Sequence, residues 1–225
     1  MPRTCLAVVL AAGDATRMKS SQSKVLHMVG NLPLIAHVTR AAAAAGVNKV
    51  ALVVGRDADQ VTEAAKAGLD LPVVAVMQTE RKGTGHATLM ARDVIAEGFD
   101  DIIVLYGDAP LIDPKSLDAA AAERAKGADV VVLGFHADDP TGYGRLLERD
   151  GELIAIREHK EASDEELAVN FCNGGIITFS GSAAVDLLES IGNDNAKGEF
   201  YLTDIVEIAR GRGLRCVAVE ASEQD

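Results

Sequence analysis

Short apolar runs alternate with longer segments of helical character through the first 135 residues of the chain. The apolar runs are rich in β-branched residues and lack a polar face, which is typical of strands in a parallel sheet covered on both sides. The predicted strands are Leu6–Leu10, Val50–Val54, Val73–Met77, Ile102–Tyr106 and Val130–Phe135. A repeated strand–helix order predicts right-handed crossovers and a doubly wound sheet.

Glycines mark the ends of the helical segments between these strands. Because glycine tolerates the left-handed backbone that closes a helix, a glycine directly after an apolar-periodic segment indicates a C-terminus. The predicted helices, each followed by glycine, are Pro33–Ala45, Asp57–Ala67, Thr84–Glu97 and Pro114–Lys126.

The strand–helix rhythm breaks after residue 138. Two alternating runs flank Asp150-Gly151 and predict a β-hairpin. The elements predicted for this half are strands at Arg145–Arg149, Glu152–Arg157, Gly175–Phe179 and Arg215–Val219, with helices at Ser182–Ser190 and Thr203–Arg212. We therefore predict a single α/β domain over residues 1–225 with a Rossmann-like, doubly wound mixed sheet. Residues 1–138 form its nucleotide-binding half, and residues 139–225 form a smaller half that covers the cleft.

Composition narrows the function classes. The chain carries 34 acidic against 22 basic residues, a formal charge of −12, so a nucleic-acid partner is not expected. No apolar run approaches the ~20 residues of a membrane span, so no membrane partner is expected either. Three widely spaced cysteines, Cys5, Cys172 and Cys216, favour reduced thiols over a disulfide framework or a zinc site. We expect a cytoplasmic protein.

The first candidate loop follows the first predicted strand. Leu10 ends the strand, and Ala11 and Ala12 lead to Gly13, where the backbone can turn sharply and present its N–H groups to an anion. Two cations, Arg17 and Lys24, follow within the same loop of an otherwise acidic chain. The loop predicts a triphosphate site; the alternative is an ordinary surface turn with solvated cations.

The second candidate loop runs from Gln78 to His86. The side-chain amide of Gln78 can donate to and accept from a base edge at once. Gly83 and Thr84 then open a helix whose first N–H groups can bind an anion, with Thr84 as a possible cap. The alternative is a glycine-rich cap without a ligand, and we interpret His86 as structural.

The third candidate loop, Tyr106-Gly107-Asp108, follows a strongly apolar strand. A single carboxylate at a strand end suits Mg²⁺, which takes few protein oxygens and keeps phosphate and water as its other ligands. The alternative is that Asp108 only begins a turn. Three such loops at the carboxyl ends of strands together favour a nucleotide–magnesium site.

Two segments of the smaller half are expected to face the same cleft. Thr141–Arg145 contains Gly144, where a ligand can approach the backbone closely. Glu158 and Asn173 offer a carboxylate and an amide, which can bind sugar hydroxyls, although singly they also suit a surface acid and a turn.

With these residues in place, the sequence resembles the uridyltransferase domain of the bacterial bifunctional N-acetylglucosamine-1-phosphate uridyltransferases. The similarity runs in the family's order from residue 6 to about 219. The matching segments are Leu10-Ala-Ala-Gly13, Thr16-Arg-Met18, Lys24-Val-Leu-His27, Gly83-Thr-Gly-His-Ala87, Leu105-Tyr-Gly-Asp108, Asp139-Pro-Thr-Gly-Tyr-Gly-Arg145, Glu158-His-Lys160 and Gly198-Glu-Phe-Tyr-Leu-Thr-Asp204. The first loop and the Gly-Asp strand end are common to sugar-phosphate nucleotidyltransferases, whereas the glycine-rich and Glu-His-Lys segments are narrower.

The resemblance implies a Mg²⁺-dependent transfer of UMP from UTP to N-acetylglucosamine 1-phosphate, which gives UDP-N-acetylglucosamine, a precursor of bacterial cell-wall polymers. By the same resemblance, each group of residues has a role. Those implied to hold uridine are Leu10, Ala11, Ala12, Gly13, Gln78, Gly83 and Thr84. Arg17 and Lys24 bind phosphates, Tyr106 and Gly107 lie by the ribose, and Asp108 ligates Mg²⁺. The sugar is implied to contact Gly144, Glu158, Asn173 and Thr203.

The chain departs from the family's pattern at several positions. Asp14 and Ala15 stand where the family has a basic residue and a glycine, Ser23 replaces a proline, and Gly174 replaces a hydroxyl residue. The family's second metal-ligating asparagine and its β-helix domain with acetyltransferase activity have no counterpart in the 225 residues, so acetyl transfer is not expected. The family's trimer depends largely on that β-helix, which leaves the oligomeric state open. Two further hypotheses remain: a nucleotidyltransferase for another sugar phosphate or base, and a nucleotide- or sugar-binding protein with reduced catalysis.

Overall fold

The computed structural model describes residues 3–13, 22–195 and 197–222. Strands and helices alternate along the chain. The strands are β1 (Cys5–Leu10), β2 (Met28–Val29), β3 (Leu32–Pro33), β4 (Lys49–Val54), β5 (Val73–Met77), β6 (Asp101–Tyr106), β7 (Val130–His136), β8 (Arg145–Arg149), β9 (Glu152–Arg157), β10 (Phe171–Ser180) and β11 (Cys216–Glu220). The helices are α1 (Leu34–Ala44), α2 (Ala58–Lys66), α3 (Thr84–Leu89), α4 (Arg92–Ile95), α5 (Pro114–Ala125), α6 (Asp164–Leu167), α7 (Gly181–Glu189) and α8 (Ile205–Gly211).

One mixed sheet contains nine of the described strands. Its main order is β11-β7-β10-β6-β1-β4-β5, and the hairpin β8–β9 joins it through β10. Strand β1 pairs in parallel with both β4 and β6, and β5 continues this parallel part. Strand β10 runs antiparallel to β6 and β7 on its two sides. The fold is therefore mixed α/β, as the sequence predicts.

Helices cover both faces of the sheet because the central strands are apolar on both sides. Leu6 and Val8 of β1 point into a core shared with α3, α4, α7 and α8. Ala7 and Val9 of the same strand point into a second core, shared with α1, α2 and α5. All four side chains are fully buried, which is what an unbroken apolar strand predicts for the middle of a covered sheet.

The edge strand β5 differs from this prediction. Its residues Val73–Met77 are as apolar as those of β1, yet Val74 is 36% exposed and Met77 is 52% exposed. Strand β5 ends the main order of the sheet and pairs with β4 along one side only. An apolar run alone does not distinguish an edge strand from a central one.

Three other predicted elements have different bounds. The segment expected to form one helix, Thr84–Glu97, forms two, α3 and α4, with Met90 and Ala91 between them. The strand expected at Gly175–Phe179 belongs to the longer β10, which contains a register shift between Asn173 and Ile177. The segment expected to form a helix from Thr203 begins as a 3₁₀ turn at residues 202–204 before α8. The hairpin β2–β3 and the short helix α6 are not apparent from the sequence pattern.

Two findings bear on the function classes that the sequence excludes. Within the described ranges, no helix has the length and apolar character that crossing a bilayer requires. The three cysteines are all free. Burial raises the pKa of the Cys5 and Cys216 thiols to about 12, so neither is an activated nucleophile.

Gly181 joins β10 to α7 at a point of close backbone contact. Its N–H donates to the Asp100 carbonyl, and a Cβ built on it would collide with the Phe99 carbonyl oxygen. Helix propensity alone predicts that Gly181→Ala stabilises α7, since alanine is the better helix former. We expect the collision to dominate and the free energy of unfolding to fall by about 1–3 kcal/mol, measured by denaturant titration. Gly192→Ala is the control, because nothing lies within 4 Å of a Cβ there. Equal stability of the two variants would contradict the close contact between Gly181 and the Phe99 carbonyl.

Candidate active site

The carboxyl ends of the parallel strands meet at one edge of the sheet. Leu10 is level with Val53 of β4 and with Tyr106 of β6. The chain continues the hydrogen bonding past the strand ends, with 2.8 Å from Ala11 N to the Val53 carbonyl and 2.9 Å from Gly107 N to the Leu10 carbonyl. The loops after β1 and β6 therefore start side by side. Gln78, which begins the second candidate loop, lies at the same edge, because its backbone N–H donates to the carbonyl of Val54 at the end of β4 across 2.8 Å.

The first candidate loop is described up to Gly13 and again from residue 22. Ala11 and Ala12 are buried, whereas Gly13 is exposed at the sheet edge. Arg17, expected to bind phosphate, lies outside the described residues, as do the unusual Asp14 and Ala15 of the same loop.

Lys24 and Asp108 come together although 84 positions separate them. The Lys24 Nζ lies 2.6 Å from Asp108 Oδ2 in an ion pair. The two side chains are 43% and 35% exposed, so solvent reaches both charges. The sequence assigns Lys24 to phosphate and Asp108 to metal, and the fold brings the two groups to one place.

The backbone of Lys24 is anchored on both sides. Residues 24–26 form a 3₁₀ turn in which Val25 and Leu26 are buried. The preceding Ser23 donates its backbone N–H to Asp57 Oδ2 across 2.8 Å. Proline, which the resemblance leads us to expect at this position, has no N–H to donate. Ser23 thus gives this turn a hydrogen bond that a proline at this position could not form.

Gln78 is buried and lies close to His86, with 3.2 Å between Gln78 Nε2 and His86 Nδ1. The imidazole thereby orients the amide that the sequence assigns to a nucleobase. This contact agrees with the interpretation of His86 as structural, since its ring contacts another side chain of the same loop.

The helix start at Gly83 and Thr84 is held by a segment more than 110 residues away. Phe200 donates its N–H to the Lys82 carbonyl across 2.7 Å and accepts from Gly85 N across 2.8 Å. Thr84 does not cap the helix as expected; its Oγ1 accepts from the Leu202 N–H across 3.0 Å, and Gly83 is the N-cap. The Gly85 N–H is therefore used within the protein, which reduces the number of N–H groups that this helix start can offer to an anion.

Tyr106 and Gly107 lie at the end of β6, close to the first two candidate loops. Burial raises the pKa of the Tyr106 phenol, although a hydrogen bond with Thr84 opposes the shift. A Cβ on Gly107 would lie 3.0 Å from Ile35 Cδ1 and 3.1 Å from the Leu10 carbonyl oxygen. Glycine here allows β6 to end directly against β1.

A cavity of about 490 Å³ opens beside Tyr106. Three of the four residues expected at the sugar end line it: Glu158, Asn173 and Thr203. Thr203 Oγ1 donates to Glu158 Oε1 across 3.3 Å, which places a hydroxyl and a carboxylate side by side. The other lining residues are Thr84, Gly142, His159, Lys160, Glu161, Lys197, Glu199 and Tyr201. The cavity wall combines anions, cations and hydroxyl groups, which suits a polar, charged ligand.

Gly144, the fourth expected residue, acts through its carbonyl, which accepts from the Asn173 N–H across 2.8 Å. Asn173 Oδ1 in turn accepts from Gly175 N across 2.9 Å. The register shift in β10 lies at this point, and it allows Asn173 to reach the cavity wall from within a strand.

Asp108 is the residue that the sequence predicts as a metal ligand. Among the described residues, no group of three or more His, Cys, Asp or Glu side chains lies close enough to hold an ion. One carboxylate fits Mg²⁺ that takes its remaining ligands from phosphates and water. The Lys24 ammonium lies 2.6 Å from Asp108 Oδ2. Because one cation already reaches this oxygen, the oxygen is oriented so that a cation can bind it.

Several residues of the site are absent from the sequence-based prediction. Arg81 donates from Nε to the Ala12 carbonyl across 2.9 Å and so ties the second loop to the first. The sequence does show a basic residue at this position of the second candidate loop, and this basic residue could have indicated a role for Arg81. Lys197 lies over the Tyr201 ring at 5.8 Å from the centroid, in a segment that the sequence pattern leaves unassigned. Its contribution to the cavity arises from tertiary packing.

A cluster of carboxylates adjoins the cavity and includes two residues of its wall, Glu158 and Glu161. Asp204 is half-buried, and its pKa is raised to about 6, first by desolvation and then by Glu207, Glu161 and Glu158. Arg157 attracts it and opposes the shift. The ionised form of Asp204 is therefore unfavourable in the folded protein.

This cluster predicts a pH-dependent gain in stability from Asp204→Asn. The folded pKa lies above the unfolded value near 4, so ionised Asp204 destabilises the native state above pH 6, and this penalty disappears below about pH 4. We expect the variant to be more stable by about 1 kcal/mol at pH 7.5, since partial exposure screens the repulsion. Denaturant titrations from pH 4 to 8 measure the difference, with exposed Asp118→Asn on α5 as the control. A difference that does not change with pH would show that the carboxylate repulsion is negligible.

Gly83 predicts a second effect at the site. It has φ +108°, and a Cβ on it would lie 2.5 Å from the Phe200 carbonyl oxygen. Gly98 also has a positive φ, +94°, with nothing within 4 Å of a Cβ, so Gly98→Ala measures the cost of a positive φ without a steric contact, about 1 kcal/mol. We expect Gly83→Ala to cost about 1–3 kcal/mol more than that control in denaturant titrations. Equal losses in the two variants would mean that the contact with Phe200 is unimportant.

Known proteins similar to this chain include three bacterial relatives, each named bifunctional protein GlmU. The protein from Allorhizobium ampelinum is 61% identical over 225 residues, which is 100% of this chain and 50% of the relative. The proteins from Rhizobium johnstonii and Agrobacterium fabrum are 62% and 60% identical, over 99% and 100% of this chain and 49% of each relative. The chain thus spans about half the length of these relatives.

Solved structures agree with the fold. A putative glucose-1-phosphate thymidylyltransferase from Bacillus anthracis has a TM-score of 0.81 at 21% identity, over 97% of this chain and 87% of that one. A UDP-glucose pyrophosphorylase solved with UDP-glucose has a TM-score of 0.80 at 19% identity, over 97% and 90%. The family described as MobA-like NTP transferase domain matches residues 7–168, from β1 to the end of α6. This chain belongs to the MobA-like NTP transferase domain family.

Proposed function

We propose that the chain transfers UMP from UTP to N-acetylglucosamine 1-phosphate in a Mg²⁺-dependent reaction, giving UDP-N-acetylglucosamine and pyrophosphate. The observation that carries the proposal is the meeting of Lys24 and Asp108 at 2.6 Å, at the sheet edge where the nucleotide loops start. Identity of about 60% to proteins named GlmU over nearly the whole chain supports the choice of substrates.

The proposed reaction needs positioning and charge neutralisation. An oxygen of the sugar 1-phosphate attacks the α-phosphorus of UTP, and the bond from that phosphorus to the oxygen bridging to the β-phosphate breaks. Pyrophosphate leaves with the bonding electron pair, so no covalent intermediate with the protein is required. The protein must align the two substrates and stabilise the negative charge that spreads over the phosphate oxygens.

Each part of the site has a task in this reaction. Lys24 places a positive charge by the phosphates, and Gln78, oriented by His86, contacts the uracil edge. Asp108 would hold Mg²⁺, which supplies neutralisation of the triphosphate charge when bound. Arg17 is proposed to add a second phosphate contact on sequence grounds.

The sugar is proposed to bind in the cavity lined by Glu158, Asn173 and Thr203. Carboxylate, amide and hydroxyl groups together can accept from and donate to sugar hydroxyls and an acetamido group. Tyr106 ends β6 and lines this cavity, and Asp108 follows it by two residues. The sugar phosphate and the nucleotide would therefore meet near Tyr106. The proposed location is the cytoplasm, where UTP is made.

The proposal predicts pyrophosphate release from the chain with UTP, Mg²⁺ and N-acetylglucosamine 1-phosphate. Asp108→Asn removes the charge that would hold the metal ion, and we expect kcat to fall roughly 100-fold or more. Asp118→Asn, an exposed carboxylate of α5, is the matched control and is expected to keep full activity. A coupled pyrophosphate assay measures both, and circular dichroism checks that each variant is folded.

The same assay distinguishes the alternatives. Faster turnover with another nucleoside triphosphate or another sugar phosphate would replace the proposed substrates and keep the reaction class. Binding of UDP-N-acetylglucosamine without any pyrophosphate release would contradict catalysis and favour a binding protein. An active Asp108→Asn variant would remove Asp108 from the metal site.

A further inference from the structure

The ion pair between Lys24 and Asp108 conflicts with the separate tasks proposed for the two residues. Asp108 Oδ2 accepts the Lys24 ammonium at 2.6 Å, in the position where a metal ligand would need a cation. While this pair is formed, Lys24 is turned toward a carboxylate instead of a phosphate. Both groups therefore have to change partners before the nucleotide and the metal ion can bind as proposed.

Because both side chains are partly exposed, separating the ion pair requires little free energy. The two side chains are 43% and 35% exposed, and ion pairs of this kind contribute little to stability because water solvates both separated charges. A divalent cation interacts with the carboxylate more strongly than the single charge of an ammonium does. Triphosphate oxygens offer the released ammonium a more highly charged partner than one carboxylate.

Such a change of partners requires movement of only the Lys24 side chain. The backbone of residues 24–26 is fixed by the buried Val25 and Leu26 and by the bond from Ser23 N to Asp57 Oδ2. The lysine chain has four flexible carbons between this fixed backbone and its charge. On the other side, Asp108 follows Gly107, which is closely packed against Ile35 and Leu10.

We infer that Lys24 is an exchangeable counter-ion of Asp108, which holds the metal-binding carboxylate until a triphosphate draws the lysine away. This inference rests on the proposed function for the identity of the triphosphate and of the metal ion. It has two consequences. Lys24 competes with a divalent cation for Asp108 in the free protein, and a bound nucleotide raises the affinity for that cation by removing the competitor. By reciprocity, the cation raises the affinity for the nucleotide by the same factor.

The test measures Mn²⁺ binding to the chain by electron paramagnetic resonance, without nucleotide and without turnover. We expect Lys24→Met to bind Mn²⁺ roughly three- to tenfold more tightly than the unaltered chain, since the competitor is gone. Lys24→Arg keeps a cation that can pair with Asp108 and is expected to bind Mn²⁺ nearly as weakly as the unaltered chain. Asp108→Asn is expected to lose this binding.

Lys49→Met is the control for the loss of one positive charge. Lys49 is paired with Glu97 at the opposite end of the parallel strands, so its removal should leave Mn²⁺ affinity unchanged. A non-hydrolysable UTP analogue should then raise the Mn²⁺ affinity of the unaltered chain by a larger factor than that of Lys24→Met. Equal or weaker Mn²⁺ binding by Lys24→Met without nucleotide would overturn the inference.

The outcome is separable from that of the proposed function. The unaltered chain could release pyrophosphate while Lys24→Met shows no gain in Mn²⁺ affinity. That result would support the proposed reaction and contradict the exchange of Lys24. A gain in Mn²⁺ affinity in a chain that releases no pyrophosphate would support the exchange and contradict the proposed reaction.

Discussion

The site depends on one constraint, the parallel register of β1 with the strands on both its sides. Leu10 is level with Val53 and with Tyr106, so the loops after these strands leave the sheet at the same height. A shift by one residue would turn every side chain of β1 to the opposite core and exchange Leu6 and Val8 for Ala7 and Val9, whose volumes differ, which two closely packed cores disfavour. Core packing therefore fixes where Lys24 and Asp108 can meet.

A second constraint connects the two parts of the sequence. Strand β10, from the later part, lies between β6 and β7, and the Phe200 backbone binds both Lys82 and Gly85. The cavity wall near Phe200 and the start of α3 are thus held by the same hydrogen bonds. A ligand that orders the segment around Phe200 would also stabilise the second candidate loop, because the two share these backbone groups.

The sequence predicts well what local pattern controls. The strands β1, β4, β6 and β7 are apolar on both faces, and burial follows from that alone. Asp108 and Glu158 follow the ends of β6 and β9, as the pattern predicts, whereas Asn173 lies within β10 at a register shift and Thr203 lies in the 3₁₀ turn before α8. The roles assigned to them remain predictions, and Arg17 lies outside the described residues.

What the sequence does not predict arises from distant contacts. The edge position of β5 depends on which strand pairs with which, and its apolar residues carry no sign of it. Thr84 has a side chain that commonly caps helices, but its hydroxyl instead accepts a hydrogen bond from the Leu202 N–H. Arg81 is indistinguishable from a solvated cation until the fold brings it to the Ala12 carbonyl. Each of these outcomes is set by a partner far away in the chain.

Burial separates two carboxylates that stand at opposite ends of the same strand. Asp101 begins β6, is nearly inaccessible, and accepts from both Arg3 and the buried Arg124. Removing one partner of such a buried pair costs about 3–5 kcal/mol, because an uncompensated charge remains in a medium of low dielectric. Asp108 follows the other end of β6 and forms a partly exposed ion pair with Lys24, a kind of pair worth about 0–1 kcal/mol. The first carboxylate is committed to the fold, whereas the second can exchange its cation without unfolding anything. In a chain of net charge −12, that difference in burial is the reason why Asp108, and not Asp101, is the proposed metal ligand.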